Sequence, residues 1–281
     1  MQGNGRLVVI SHGSGGSPWV HTDLARALVQ AGFVVALPEH RGDNYKDASS
    51  PGPDSWKLRP AEVSRVIDAI GQDARWISSL KLDKVGVFGQ SAGGHTALSL
   101  AGGIWSPARF LAHCQAHLAE DFNACVGTFT QLTGGWADGL KKFAALRVLA
   151  WRFSDDNPQQ YQDKRIAAAV AGVPAAADFD LQSLRAPRIP LGLVTAGQDV
   201  WLKPRFHGEA VAQACASACT RIAHLPQAGH SVLLSPLPPP HVLGAVERTL
   251  LADPPGFDRS ALRALDAAIT DFFVQHLPSA P

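Results

Sequence analysis

The sequence predicts an α/β fold built on a mostly parallel sheet, because short apolar runs alternate with longer segments of helical periodicity. A chain of 281 residues can bury a full hydrophobic core, so we expect a single domain over residues 1–281. The hydrophobic share of 46% and the charged share of 17% are those of an ordinary globular protein. Lys and Arg number 25 against 24 Asp and Glu, so we expect no nucleic-acid partner.

Six short runs are candidate strands. Each is apolar or β-branched and is followed by Gly, Pro or Asp, which is typical of buried strands in a parallel sheet. The runs cover residues 7–11, 33–37, 84–88, 166–171, 191–195 and 221–225.

The clearest helix lies between the second and third of these runs. We expect it to begin at Pro60, since Pro fits the first helical turn, and Val63, Ile67 and Ile70 follow at the spacing of one apolar face. Ser260 fits an N-cap position for a helix near the end of the chain. The remaining helices are expected at residues 19–31, 92–101, 204–218 and 260–277.

Two segments interrupt the alternation. Residues 40–59 combine Gly, Pro and scattered polar residues, which predicts a long loop over the carboxyl edge of the sheet. Residues 102–162 hold nine aromatic side chains and no clear strand. We interpret this second segment as a helical cap insertion that packs on the core and covers the site.

One Gly-x-Ser-x-Gly pattern occurs, at residues 89–93, between a predicted strand and a predicted helix. A tight strand-to-helix turn strains the serine backbone and holds its hydroxyl clear of the sheet, while the glycines avoid collisions. Ser91 is therefore the candidate nucleophile.

A serine nucleophile needs a base and a third group that orients the base. Asp199 follows the strand predicted at 191–195, and His230 follows the strand predicted at 221–225. The order Ser, Asp, His is the one that α/β-hydrolases use, so His230 is the candidate base and Asp199 the candidate acid. Asp178 and Asp180, which follow an earlier strand, are alternative acids.

The tetrahedral intermediate of acyl transfer needs backbone N–H donors for its oxyanion. Ala92, directly after the nucleophile, is expected to give one donor, and Ser14 in the glycine-rich turn 12–16 the other. The histidines His12, His40 and His95 lie near the predicted site and are expected to have structural roles.

Most of the aromatic residues are expected to be core. Trp201 and Trp105 are the candidates for contact with substrate, and Phe110, Trp136 and Trp151 are further candidates for the same apolar pocket. The four cysteines Cys114, Cys125, Cys215 and Cys219 match no zinc-ligand spacing, so we expect no metal. They fit either buried free thiols or two short-range disulfides, and two disulfides would indicate an exported protein.

The first residues lack the pattern of a signal peptide, and no apolar run approaches the ~20 residues of a membrane-spanning helix. We therefore expect no integral membrane segment.

Several motifs together resemble a bacterial family. They are the turn at 9–16, the runs 38–44 and 59–65, the serine pattern, and the segments around Asp199 and His230, which together span most of residues 6–235. The chain resembles the predicted dienelactone-hydrolase-like group, which is similar to platelet-activating-factor acetylhydrolases. The resemblance implies an α/β-hydrolase fold, esterase or lipase-like chemistry through a serine triad, no cofactor, and a periplasmic or secreted location, with a cytoplasmic one as the alternative.

This sequence departs from that pattern in two ways. True dienelactone hydrolases have a cysteine nucleophile where this chain has Ser91. The fold also usually begins with two strands before the one at 7–11, so we expect either that these strands have been removed or that the sheet has an unpaired edge.

The sequence thus predicts a hydrolase of a small-molecule, lipid or polymeric carboxylic ester. An amidase or peptidase with the same triad, and a non-catalytic binding protein on a hydrolase scaffold, are the alternatives.

Overall fold

The computed structural model describes residues 3–279. Its strands are β1 (Leu7–Ser11), β2 (Val34–Ala36), β3 (Val85–Gln90), β4 (Ile104–Trp105), β5 (Ile166–Gly172), β6 (Phe179–Asp180), β7 (Leu191–Ala196) and β8 (Thr220–Leu225). Its α-helices are α1 (Thr22–Gln30), α2 (Pro53–Gln72), α3 (Ala92–Leu100), α4 (Pro107–His117), α5 (Phe122–Val126), α6 (Asp138–Arg152), α7 (Gly208–Cys215), α8 (Ala245–Leu251) and α9 (Leu262–His276).

The six predicted strands form one parallel sheet in the order β2-β1-β3-β5-β7-β8. This confirms the predicted α/β fold class with its mostly parallel central sheet. β4 and β6 add a separate two-residue antiparallel pair, which is too short to leave a periodic signal in the sequence.

Alternation along the strands gives the sheet two buried faces. Leu7 and Val9 of β1 pack with the apolar side of α2, whereas Val8 and Ile10 belong to the core beneath α1 and α9. The side-chain period of two in a strand sends neighbouring residues to opposite faces, so a strand covered on both sides is apolar throughout.

The helix predicted at Pro60 begins earlier, at Pro53, and Pro60 lies inside it. Gly52, with φ of 85°, turns the chain into the helix in a conformation that glycine adopts without strain. Pro60 lacks only the N–H that would bond the carbonyl of Trp56, and tertiary packing of α2 outweighs that loss. The loop predicted over 40–59 is accordingly shorter and ends at residue 52.

Two other helix predictions need correction at their ends. The last helix is preceded by a 3-10 turn that Asp258 caps by accepting from the N–H of Ser260, so Asp258 and not Ser260 is the cap. The region 204–218 is divided into α7 and two 3-10 turns, Pro204–Phe206 and Ala216–Ala218.

The region predicted as an insertion contains α4, α5 and α6. Phe110 and Phe153 from this region pack around Trp56 of α2, with ring centroids 5.4 and 6.0 Å from it. Disulfide bonds join Cys114 to Cys125, between α4 and α5, and Cys215 to Cys219, at the end of α7. The cysteines are therefore paired, which decides between the two arrangements that the sequence left open.

At one edge of the sheet lies β2, which has only three residues and is partly covered. A short edge strand offers few free backbone groups for pairing with another chain. Among residues 3–279, no helix has both the length and the apolar character needed to cross a bilayer.

Candidate active site

Ser91 occupies the turn between β3 and α3. Its φ of 58° and ψ of −116° are strained for a residue with a side chain, as expected of a nucleophile on this kind of turn. A Cβ on Gly89 would lie 1.9 Å from the carbonyl oxygen of Gly93, and one on Gly93 would lie 1.9 Å from that of Ser11. Only glycine fits at these two positions, so the spacing of the pattern is a requirement of the turn.

The three predicted triad residues come together at the carboxyl ends of β3, β7 and β8. The Oγ of Ser91 lies 2.9 Å from Nε2 of His230, and Nδ1 of His230 lies 2.7 Å from Oδ2 of Asp199. His230 and Asp199 are 8% and 4% exposed, so water screens their interaction little. The serine proton therefore has a direct hydrogen-bonded path to the imidazole.

Asp199 is itself held by the turn that follows it. Its Oδ1 accepts from the backbone N–H groups of Trp201 and Leu202, both at 2.8 Å, which leaves Oδ2 directed at His230. Gln90 fixes the backbone of His230, since its Nε2 donates to the carbonyl oxygen of that residue. The orientation of the base is thus fixed from two directions.

The alternative acids lie elsewhere. The Oδ2 of Asp178 is 2.9 Å from Nε2 of the buried His95, whose ring stacks on Trp56. Asp180 caps a short 3-10 helix by accepting from the N–H of Gln182. Each of these carboxylates therefore has a structural partner away from His230.

The glycine-rich turn predicted to hold the oxyanion lies beside Ser91. A Cβ on Gly13 would lie 3.4 Å from Cβ of Ser91 and 2.8 Å from Oε1 of Gln90. Ser14 is the next residue of this turn, and Ala92 is the first residue of α3. The two predicted donors are therefore borne by segments that flank Ser91.

A buried ion pair holds this turn in place. Nη2 of Arg59 lies 2.9 Å from Oδ2 of Asp43, and both side chains are fully buried. Oδ1 of Asp43 accepts from Oγ of Ser14 at 2.5 Å and from the N–H of Gly15 at 3.0 Å. Arg59 donates through Nη1 to the carbonyl oxygen of His12 at 2.5 Å. We call Asp43 and Arg59 the brace of the turn.

The charges in the brace are stabilised by each other. Burial alone would raise the pKa of Asp43, but Arg59 and hydrogen bonds from Ser14, Ser55 and Gly15 outweigh burial and hold the pKa below its usual range. Burial lowers the pKa of Arg59, which remains a cation beside this carboxylate.

The histidines near the turn are structural, as predicted from their positions. His12 donates from Nδ1 to the carbonyl oxygen of Gly13, and its Nε2 accepts from the N–H of His40. Burial lowers the pKa of His12 to about 3, so this ring is neutral near pH 7. His40 bridges Ser11 and Glu62 at 2.7 and 2.6 Å.

A second buried cluster joins the helical insertion to the loop after Asp199. Oδ2 of Asp121 lies 2.9 Å from Nε2 of both His113 and His207, and its Oδ1 accepts from the N–H of Lys203. These hydrogen bonds outweigh the effect of burial and lower the pKa of Asp121. The cluster therefore anchors the segment that carries the candidate acid.

The same three side chains are candidate metal ligands, since one atom of each lies within 4.8 Å of the others. The N–H of Ala176 donates to Nδ1 of His207, so the ring proton is on Nε2, the atom that faces Asp121. A protonated nitrogen has no lone pair for a metal. The arrangement of these described residues therefore favours hydrogen bonding over metal binding.

The two tryptophans predicted to contact substrate differ in their surroundings. Trp105 is 2% exposed and packs edge-on against His95, in the core, which indicates a packing role. Trp201 is 5% exposed, and among the described residues its indole Nε1 has no hydrogen-bond partner. A buried donor without a partner is rare in folded proteins, and this one lies two residues from Asp199.

Sequence reasoning missed the brace and the Asp121 cluster. Asp43 and Arg59 are 16 residues apart, and the sequence predicts that both belong to the loop at 40–59. One signal in the sequence could have indicated the brace. Arg59 directly precedes the apolar face of the predicted helix, and an arginine buried beside such a face needs a carboxylate partner.

The family of the chain follows from comparison with known proteins. Residues 7–239 match the sequence model of a family described as the α/β-hydrolase family. A search of curated proteins found no match. Among solved structures, a ferulic acid esterase from Streptomyces cinnamoneus is similar with a TM-score of 0.59 and 16% identity, covering 98% of this chain and 68% of that one. That likeness concerns the fold, whereas the family match covers most of the sequence, and the chain therefore belongs to the α/β-hydrolase family.

Proposed function

We propose that this protein is a serine hydrolase of carboxylic esters. The observation that carries the proposal is the hydrogen-bonded line from Ser91 through His230 to Asp199, at a strained strand-to-helix turn. A serine hydroxyl becomes an effective nucleophile when a positioned base can take its proton.

In the proposed reaction, Oγ of Ser91 attacks the ester carbonyl carbon while Nε2 of His230 takes the hydroxyl proton. The imidazolium is stabilised by Asp199, and it returns the proton to the leaving alcohol as the carbon–oxygen bond breaks. Water then attacks the acyl carbon while His230 takes its proton. The bond from the acyl carbon to Oγ of Ser91 breaks, His230 returns the proton to Oγ, and the carboxylic acid is released.

The negative oxygen of each tetrahedral intermediate would be bound by the N–H groups of Ala92 and Ser14. Such a donor contributes on the order of 3 kcal/mol when it is already in position before the reaction. The brace supports this role, because its hydrogen bonds to Ser14 and Gly15 fix the turn.

The proposed substrate is a carboxylic ester, without restriction to the lactones that the name of the resembled group implies. We retain the dienelactone-hydrolase-like group as the subgroup proposed from the motifs, with a small, lipid or polymeric ester as substrate. The structural neighbour is described as a ferulic acid esterase, which agrees with ester chemistry. Trp201 is the proposed substrate contact, through its unpartnered indole N–H.

Labelling by a fluorophosphonate, followed by peptide mapping, tests the nucleophile. We expect the label on Ser91, none on the Ser91→Ala variant, and hydrolysis of nitrophenyl esters only by the unsubstituted protein. Matched ester and anilide substrates measured together separate an esterase from an amidase. Folded protein that takes up no label and hydrolyses neither substrate would indicate a binding protein on a hydrolase scaffold.

We further propose that the protein works in an oxidising compartment, periplasmic or extracellular. The two disulfides support this location, since disulfides rarely persist in a reducing cytosol. Fractionation of the source cells, with thiol labelling of the native and the denatured protein, checks it. Recovery in the cytosol with four reactive thiols would contradict the proposal.

A further inference from the structure

Helix α6 presents an apolar side to solvent. Leu140, Phe143, Val148 and Trp151 are 66%, 61%, 56% and 81% exposed, and Trp136, just before the helix, is 94% exposed. These five residues are here called the apolar face. Leu140, Phe143 and Trp151 recur at three- and four-residue multiples, so the helix aligns them along one side.

The apolar face is separate from the side of α6 that packs on the rest of the insertion. Leu149, on the opposite side of α6, is buried, and through that side the helix packs on α4 and α5. Phe110 and Phe122 of the same insertion are each 5% exposed. The insertion thus fills its own core with other aromatic side chains, and the apolar face needs a partner from outside the fold.

Positive charge accompanies the apolar face. Asp138 is the one acidic residue of α6, against Lys141, Lys142, Arg147 and Arg152. Lys141 pairs with Asp138, and Arg152 lies 3.9 Å from a carboxylate oxygen of α2. No carboxylate in the described part of the chain pairs with Lys142 or Arg147.

These charges discriminate between partners. The guanidinium of Arg147 lies 5.6 Å from the centroid of the Phe143 ring, so a cation stands within the apolar face itself. A second copy docked through the same face would bring the Arg147 guanidinium groups of both copies into one environment of low dielectric constant. An anionic lipid surface instead accepts Trp and Phe between its acyl chains and pairs Lys and Arg with its phosphates.

We propose that the apolar face of α6 docks the protein on an anionic lipid–water interface. The aromatic and aliphatic side chains enter the boundary between headgroups and acyl chains, and Arg147, which lies over Phe143, contacts the phosphates. The binding does not depend on the proposed hydrolase activity. It can therefore be tested without catalysis.

The test uses the full chain with Ser91→Ala, so that no lipid is hydrolysed, in co-sedimentation with vesicles. We expect binding to vesicles of equal parts phosphatidylglycerol and phosphatidylcholine, weaker binding to pure phosphatidylcholine, and loss of binding as salt is raised. Adding Phe143→Gln and Trp151→Gln lowers the partition coefficient by about tenfold or more. Adding Arg147→Gln weakens binding to the phosphatidylglycerol vesicles alone.

Ile77→Gln is the matched control, because Ile77 is 61% exposed on a different segment and its loss leaves binding unchanged. Circular dichroism melting checks that each variant is folded. The proposal is overturned if the chain fails to bind the phosphatidylglycerol vesicles, or if the Phe143/Trp151 variant binds as well as its parent. A dimer in sedimentation velocity that Phe143→Gln abolishes would assign the apolar face to a second copy and overturn it equally.

Discussion

Asp43 and Arg59 form a fully buried ion pair, with Nη2 of Arg59 and Oδ2 of Asp43 2.9 Å apart, directly behind the turn that flanks Ser91. Each oxygen of the carboxylate has partners, since Oδ1 accepts from Ser14 and Gly15 while Oδ2 faces Arg59 and Ser55. A buried pair that loses one member leaves an uncompensated charge, which is strongly destabilising. The brace is therefore a place where stability and catalytic geometry meet.

Asp43→Asn should lower kcat by about ten- to a hundredfold while changing KM little. The amide cannot balance the charge of Arg59, so the turn shifts. The N–H of Ser14 is then misplaced for the oxyanion, and losing one such donor entirely lowers the rate by about 10²–10³. Assays run well below the melting temperature of the variant check this. Asp155→Asn, which removes a carboxylate from a half-exposed pair with Lys57, is the matched control and should leave kcat unchanged.

Asp199→Asn should reduce kcat by about 10⁴, because the amide no longer stabilises the imidazolium and favours the wrong tautomer of His230. Asp178→Asn should leave the pH profile of kcat unaltered, since Asp178 contacts His95 and not His230. Steady-state rates on a nitrophenyl ester separate the two variants. A near-normal rate for Asp199→Asn beside an inactive, folded Asp178→Asn would reverse the assignment of the acid.

Trp201→Phe should raise KM by about tenfold with little change in kcat, as expected for the loss of one hydrogen bond to substrate. The variant keeps an aromatic ring but removes the indole N–H, which has no protein partner within the described chain. Trp105→Phe provides the comparison, because it perturbs a buried core side chain and should lower the melting temperature without altering KM. An unchanged KM in Trp201→Phe would remove this residue from the substrate site.

Stability should fall as the pH drops from about 6.5 toward 3. Burial lowers the folded-state pKa of His12 and of His21 to about 3, and also lowers that of His40. These rings are neutral in the folded protein and become charged on unfolding, so the unfolded chain binds more protons between these pH values. Each ring therefore lowers the free energy of unfolding by up to about 1.4 kcal/mol for each pH unit of decrease. Burial raises the pKa of Asp266 to about 6, so this carboxyl binds its proton more readily in the folded protein. Its contribution to the free energy of unfolding rises as the pH falls, which offsets the effect of about one histidine.

Urea unfolding at several pH values measures this slope. His21→Leu removes one of the buried rings, so its unfolding free energy should depend less steeply on pH than that of the parent. His276→Gln changes a histidine that is only partly covered at the end of α9 and should leave the slope as it was. A pH-independent unfolding free energy in the parent would contradict the buried neutral state of these rings.

Local patterns and long-range partners explain which parts could be predicted from the sequence. The strand at 7–11 and the turn around Ser91 were predictable because their signals, apolar runs and glycine spacing, lie within a few residues. The contact between Asp121 and His207 joins residues 86 apart, and no local pattern encodes it. The local preference of Pro60 predicts a helix start, whereas the packing of α2 that overrides this preference is tertiary.

The two disulfides should differ in their contribution to stability. In the chain-entropy account, a cross-link stabilises by restricting the unfolded chain, and more so as the closed loop lengthens. Cys114 and Cys125 are 11 residues apart and Cys215 and Cys219 only 4, which corresponds to about 3 and about 2 kcal/mol respectively. The Cys114→Ser/Cys125→Ser variant should therefore unfold at lower urea concentration than Cys215→Ser/Cys219→Ser. If reduction of the parent protein leaves its urea midpoint unchanged, neither bond restrains the unfolded chain, and the support that the disulfides give to an oxidising location is lost.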